Sequence, residues 1–173
     1  GQREVVNSVR EDPVVRGLLY AATEHTVYAS FDDGEHWQSL RLNLPSTSVR
    51  DIVVHERDLV IGTHGRSFWI LDDITPLRQA RAALASARGY LCAPAPAVRV
   101  RANRNTDTPM PPDEPMGQNP PDGAVLDYWF ADTPQSAVTL EILDAASRLV
   151  RRFASNDLPD TLPTGLQVPL YWM

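Results

Sequence analysis

Ser30-Phe31-Asp32-Asp33-Gly34-Glu35-His36-Trp37 is the stretch from which the rest of the chain is read. The octapeptide has the chemistry of a turn between two strands. Asp32 is placed to accept hydrogen bonds from turn amides. Gly34 takes a positive φ without a Cβ clash. Trp37 is expected to bury a large surface between neighbouring sheets, with its indole N–H seeking a partner. Ser30, Asp32, Gly34 and Trp37 are therefore read as structural residues, since a stabilised turn is an element of fold and fold does not fix a reaction.

Outward from this turn the chain reads as strands. Residues 5–9, 18–22 and 27–31 lie before it, and 37–42, Val49–His55, 59–62 and Phe68–Leu71 follow. Each is short, rich in β-branched or aromatic residues, and bounded by polar or Pro/Gly turns. Leu18-Leu19-Tyr20-Ala21-Ala22 and Leu59-Val60-Ile61-Gly62 are apolar on both faces, which suits strands covered on both sides. A repeat of about 40 residues runs through them, the period of a four-stranded propeller blade. Tyr20-Ala21-Ala22-Thr23 is answered by Val60-Ile61-Gly62-Thr63. Val27-Tyr28-Ala29-Ser30 is echoed by Phe68-Trp69-Ile70-Leu71 once one residue is inserted, and Asp32-Asp33 by Asp72-Asp73. Spacing and repeat together favour a propeller over a sandwich.

The first unit is expected to close with one helix. Thr75 is the expected N-cap, and Pro76 the first helical residue, where a missing N–H costs nothing. Leu77, Ala80, Ala83, Leu84 and Ala87 form an apolar stripe, and Gly89 is the expected stop. Asp72 and Asp73 suit the positive end of the helix dipole. Eight of the 15 prolines then fall between Pro94 and Pro121, a density that few helices or strands survive. The expected organisation is thus a first unit at 1–93, a Pro-rich linker at 94–122 and a second unit at 123–173. In the second unit, 124–130, 138–143, 149–153 and 166–172 read as strands. Val138, Leu140 and Ile142 share a face, and Asp144-Ala145-Ala146-Ser147 turns a hairpin. Four strands are fewer than the roughly seven of a β-sandwich, so this unit is expected to be part of one.

Composition removes whole classes of chemistry. The 173 residues carry 22 acidic and 16 basic side chains, a formal charge of −6, which argues against a nucleic-acid partner. Every basic residue is Arg, so neither Schiff-base lysine chemistry nor a P-loop lysine is available. Cys92 is the single cysteine, which leaves no intrachain disulfide and no Cys-based zinc site. His25, His36, His55 and His64 show no metal spacing, and Asp32-Asp33-Gly34 lacks the alternating acids of a calcium loop. No Gly-x-Ser-x-Gly surrounds a serine nucleophile. No metal and no cofactor are therefore expected. No apolar run approaches the roughly 18 residues of a membrane span. The opening at Gly1 and the close within Leu170-Tyr171-Trp172-Met173 lead to the expectation of a fragment.

The octapeptide fits the Asp-box pattern Ser-x-Asp-x-Gly-x-x-Trp, with His36 where Thr is commoner. Asp12-Pro13, Leu18 to Thr23, Asn43-Leu44-Pro45, Val49-Arg50-Asp51 and the run from Asp58 to Leu77, with its Thr63-His64-Gly65-Arg66-Ser67 centre, add to it. Over residues 5–92 the chain resembles the closing blades of bacterial sortilin-like BNR/Asp-box propellers, a group often labelled glycosyl-hydrolase-like. More loosely, 119–153 is similar to the Ig-like domain that follows in these proteins, with Ser147 where Gly is usual in the hairpin turn. After Asp73 no Gly or Trp stands where a second Asp box needs them. The resemblance implies an all-β fragment of an exported protein, periplasmic or extracellular: terminal blades, one short helix and a partial Ig-like sandwich. Further blades of the parent protein would lie upstream.

Propellers bind ligands at one face, around a channel framed by every blade. In such blades the loop between the second and third strands opens to that face, and the Asp-box turn lies opposite. The candidates for contact are then Glu24 and His25 in one blade, and His64 and Arg66 in the next. Arg66 is suited to clamping a carboxylate, and His64 to binding or shuttling a proton near neutral pH. The competing reading makes Thr63-His64-Gly65-Arg66 a tight turn whose polar groups satisfy the backbone or an ion pair. The function expected is a glycan- or peptide-binding module. The alternative is a glycoside hydrolase, which needs two carboxylates about 5–10 Å apart. Glu24, Asp51 and Asp58 are available for it, no spacing selects a pair, and its catalytic acids would lie mainly outside this fragment.

Overall fold

A computed structural model describes residues 4–98, 113, 115–117, 120 and 123–158. These form small antiparallel sheets with two short helices, and no sheet closes on itself into a barrel. The first sheet is a meander of β1 (Val6–Glu11), β2 (Leu19–Thr23), β3 (Val27–Ser30) and β4 (Gln38–Ser39). The second joins β5 (Val49–His55), β6 (Asp58–Thr63) and β7 (Phe68–Leu71).

The sequence repeat returns as an identity of register. In the first sheet β1 meets β2 with Val6 opposite Thr23 and Ser8 opposite Ala22, and the register shifts between them. In the second, β5 meets β6 with Val49 opposite Thr63 and Asp51 opposite Gly62, and the shift falls at the same place. Leu19 to Ala22 pair with Ser30 to Val27, as Leu59 to Gly62 pair with Leu71 to Phe68. Asp33 N–H donates to the Gly17 carbonyl at 3.0 Å, and Ile74 N–H to the Arg57 carbonyl at 2.7 Å, closing the two units alike.

Side chains alternate across a strand, so register decides which of them meet. Tyr20, Ala22, Val27 and Ala29 share one face of the first sheet; Val49, Ile52, Leu59 and Ile61 share one face of the second. The two faces pack together and, with Leu18, Leu44 and Ile74, make the core. Full burial of such side chains is worth about 1.5–3 kcal/mol each, against about 0–1 kcal/mol for an exposed ion pair. The core therefore dominates the stability of residues 4–77.

One buried ion pair ties the helical segment to this core. Arg78 Nε lies 3.1 and 2.9 Å from the two carboxylate oxygens of Asp12, the Asp12 side chain is fully buried and that of Arg78 is 10% exposed, and Arg78 Nη2 also donates to the Glu56 carbonyl at 2.8 Å. Asp12 Oδ1 accepts the Val14 and Val15 amides as well. Beneath it, burial first and then the Asp12 charge push the Tyr20 phenol well above its ordinary pKa.

Several sequence expectations are corrected. The single helix is two short ones, α1 (Thr75–Arg78) and α2 (Ala80–Leu84), divided at Gln79. Ile74 holds the N-cap position, Thr75 is helical, and the Thr75 amide is taken up by Asp73 Oδ1 at 3.1 Å. Of the stripe, Ala83 is buried and Leu77 packs on the core, but Leu84 and Ala87 are exposed. Gly89 stops no helix; it opens β8 (Gly89–Leu91), which pairs with β9 (Tyr128–Phe130). A strand over 37–42 shortens to β4, because Leu42 turns to φ 45° and Leu44 N–H bonds back to Arg41. The strand expected at 124–130 shortens to β9. Trp37 is not enclosed between sheets: it lies on the outer face of the first sheet and keeps 40% of its surface exposed.

Beyond the helices, β10 (Thr139–Leu143) and β11 (Leu149–Ala154) form the expected hairpin. Asp144 Oδ1 accepts the Ala146 and Arg148 amides, and Ser147 adopts φ 59°. Of the Pro-rich stretch, residues 94–98, 113, 115–117 and 120 are irregular. The strand expected at 166–172 lies outside the described residues.

Candidate functional site

The turns of the two sheets gather at opposite ends. At one end lie the 12–18 loop, the 31–37 turn and the β5–β6 turn. At the other lie the β2–β3 turn with Glu24 and His25, and the β6–β7 turn with His64 and Arg66. The sequence candidates therefore stand at the end opposite the octapeptide.

The octapeptide folds around two oxygens. Ser30 Oγ donates to Asp32 Oδ1 at 2.9 Å and accepts the Gly34 amide at 2.9 Å. Asp32 then accepts the His36 amide at 2.9 Å and faces His36 Nδ1 at 2.7 Å. The His36 amide first, and its ring second, hold the Asp32 carboxyl down at about 2. Asp33 and Gly34 take φ 63° and 92°, the conformation Gly34 is suited to. Arg81 Nε donates to the Phe31 carbonyl and fastens the turn to α2. The Ser30, Asp32 and His36 side chains all serve the turn.

At the other end the repeat uses one threonine in each sheet. Thr23 Oγ1 donates to the Thr26 carbonyl at 2.9 Å and accepts the Thr26 amide at 3.1 Å. Thr63 Oγ1 donates to the Ser67 carbonyl at 2.6 Å and accepts the Arg66 amide at 3.1 Å. The second turn is longer by one residue and needs Gly65 at φ 84° and Ser67 at φ 59°. Trp69 Nε1 caps it through the Arg66 carbonyl at 2.9 Å.

The 47–48 segment joins the two turns. Thr47 donates its amide to the His25 carbonyl and its hydroxyl to the His64 carbonyl, both at 3.3 Å, while the His64 amide donates to Ser48 at 2.8 Å. His25 and His64 are thus brought together through their backbones. Glu24 bonds Arg50 Nη1 at 3.1 Å, and His25 Nδ1 stands 3.4 Å from Glu4. His25, His64 and Arg66 are exposed, and Glu24 is half-buried. Glu4, Thr47, Ser48 and Arg50 had no signal in the sequence, since only β1–β2 pairing and the 40–48 connection bring them here.

Two carboxylates at or next to this end are held in the ionised form. The Ser48 hydroxyl first, then the Asn7 side chain, with Arg50 and His25 adding their charges, hold Glu24 below its ordinary pKa. The Ile52 amide first, then Ser8 and the Arg10 guanidinium, do the same for Asp51. A glycosidase acid needs a raised pKa, and both of these carboxyls move the other way. Among the described residues no three His, Cys, Asp or Glu side chains gather as metal ligands do. Nor is any described helix long and apolar enough to cross a membrane. No protein-family model, no curated protein and no solved structure matches the chain.

Proposed function

We propose that residues 4–71 are two consecutive blades of an Asp-box propeller of the bacterial sortilin-like kind, from an exported protein. Its ligand end, in this reading, is the one bearing Glu24, His25, His64 and Arg66. The observation that supports this most is the identity of register, bulge position and turn-closing threonine in the two sheets. The hairpin of β10 and β11 with the β8–β9 pair is then read as part of an Ig-like sandwich. The function is recognition of a glycan or peptide. Ionised Glu24 and Arg50, imidazoles at two adjacent turns, and Arg66 offer donors and acceptors to a polar ligand without a group poised as a general acid.

The test is a binding screen of the chain against immobilised glycans and peptides, followed by titration of the hits. Arg66→Ala is expected to weaken a genuine ligand by about tenfold or more, the worth of one charge-assisted hydrogen bond. Turnover of a glycan that stops on removal of one carboxylate at this end would establish the hydrolase instead. Binding unaffected by any substitution at Glu24, His25, His64 or Arg66 would remove the site.

A further inference from the structure

The register slip that repeats in the two sheets leaves one residue over in each. β1 pairs Val6 with Thr23 and Ser8 with Ala22, so Asn7 has no residue opposite it. β5 pairs Val49 with Thr63 and Asp51 with Gly62, so Arg50 has none either. An extra residue of this kind bends its strand and re-aims its side chain. Arg50 directly follows Thr47, Ser48 and Val49, and it is Thr47 and Ser48 that join the turn of Glu24 and His25 to that of His64 and Arg66. The bulge therefore delivers a guanidinium to the seam between those two turns.

The two bulge residues are put to different uses. Asn7 is taken up inside the structure: its Nδ2 donates to the Val49 carbonyl at 2.9 Å. Arg50 meets Glu24 through Nη1 at 3.1 Å, and its side chain stays 52% exposed. An arginine carries five N–H donors in a fixed fork, and among the described residues this is the one bond that Arg50 makes. Its Nε–Nη2 edge, the edge that matches the two oxygens of a carboxylate, thus has no partner there.

The acids around it are already engaged. Glu24 faces the Ser48 hydroxyl and the Asn7 side chain as well as Arg50. Glu4 faces His25 and Tyr28. Asp51, the neighbour of Arg50 in sequence, turns instead to Ser8 and Arg10, at 3.0 and 2.8 Å. The carboxylates of this seam meet donors on several sides, while the Arg50 fork meets one acceptor. What is left over is capacity to donate, and its natural complement is an anion.

We propose that Arg50 is a specificity-determining residue of the ligand end, and that the ligand presents a carboxylate to its Nε–Nη2 edge. Glu24 is then a positioning residue, which holds the guanidinium in place through Nη1. The inference rests on the ligand end proposed above and names the class of ligand it takes: one bearing a carboxylate, whether from an acidic sugar or an acidic peptide.

Calorimetric titration of the 173-residue chain with two matched pairs of probes provides the test. Oligogalacturonate is set against its methyl ester, and hexaglutamate against hexaglutamine. Binding is expected for at least one acidic member and for neither neutral one, and the pair that responds names the source of the carboxylate. Arg50→Ala is expected to weaken that binding about tenfold or more, as for loss of a charge-assisted bond. Arg50→Lys is expected to restore only part of it, because an ammonium cannot grip two oxygens side by side. Arg50→Gln replaces the alanine variant should that one not give the far-ultraviolet circular dichroism of the parent chain. Arg10→Ala removes the same charge from the other ion pair of the seam and is expected to change binding by less than about twofold, since exposed charges are screened. Equal binding of acidic and neutral probes overturns the proposal, as does binding of neither acid. An Arg10→Ala loss as large as that of Arg50→Ala also overturns it, by showing attraction to net charge alone. A neutral ligand weakened by Arg66→Ala and untouched by Arg50→Ala keeps the ligand end and removes only its carboxylate specificity.

Discussion

Residues 4–77 and residues 89–158 are built from similar strands and end in different energetic states. In the first region two sheets share an apolar interface in which Tyr20, Val49, Ile52 and Ile74 are completely buried. In the second, β8 pairs with β9 and β10 with β11, yet Cys92 is the one described residue there that is buried. An apolar groove lined by Tyr90, Tyr128, Phe130, Leu140 and Phe153 separates the two ladders. Pairing satisfies backbone groups in both regions. Burial, which supplies most of the free energy, is achieved in only one. Strand propensity therefore accounts for the ladders, and face-to-face register accounts for the difference in burial among the described residues.

The sharpest way to break that comparison is to remove the buried ion pair that holds the first region to its helices. Arg78→Ala leaves the Asp12 carboxylate buried with no cation beside it. Loss of one partner from such a pair costs about 3–5 kcal/mol. Urea unfolding followed by tryptophan fluorescence is expected to show a loss of this size in the transition of the double sheet. A loss below about 1 kcal/mol would mean that water reaches Asp12 and that the helices are held by apolar contacts alone.

A paired substitution sharpens the comparison further. Ile52 is completely buried between the sheets, while Ile142 sits exposed on the β10–β11 hairpin. Ile52→Ala is expected to cost about 2–5 kcal/mol, the range for emptying a core position. The same change at Ile142 is expected to stay within about 0.5 kcal/mol, as for a surface site. Equal costs in the two regions, measured by the same unfolding assay, would show that the second region has a core as firm as the first.

The sequence revealed most where the cause is local or periodic. The bounds of β5 and β7 follow from their apolar runs, and the repeat announced the shared register of the two sheets. The 30–37 turn was readable because its serine, aspartate and glycine act within eight residues. What the sequence concealed depends on distance. Gly89-Tyr90-Leu91 is too short to show alternation, and its partner strand begins only at Tyr128, across the Pro-rich stretch. Trp37 carries the size of a core residue, but whether a sheet covers it is a property of the assembled faces, not of the octapeptide. Glu4 reaches His25, and Asp12 reaches Arg78, only after strands and helices are in place. The β2–β3 and β6–β7 turns lie opposite the 30–37 turn because hairpin connectivity alternates ends, a rule that needs only the strand order.

The smallest expected effect tests what the two regions have in common. Each contains an aspartate that closes its own turn: Asp32 accepts the His36 amide, and Asp144 accepts the Arg148 and Ala146 amides. In both, the backbone hydrogen bond is the first cause of a lowered pKa, with the side chain four residues on adding to it. For Asp32 the folded value is about 2 against an ordinary 3.8. Because the folded value is the lower one, the ionised carboxylate stabilises the fold fully above pH 3.8. That contribution declines as pH falls and is gone once pH passes below about 2. Carboxyl-carbon chemical shifts recorded from pH 6 to 1.5 are expected to give low midpoints for both aspartates. The Asp32→Asn variant is expected to flatten the acid side of the stability curve across the same window. If Asp32 titrates low and Asp144 does not, the likeness between the two turns fails. Local turn chemistry would then depend on the packed sheet behind it, as the core does.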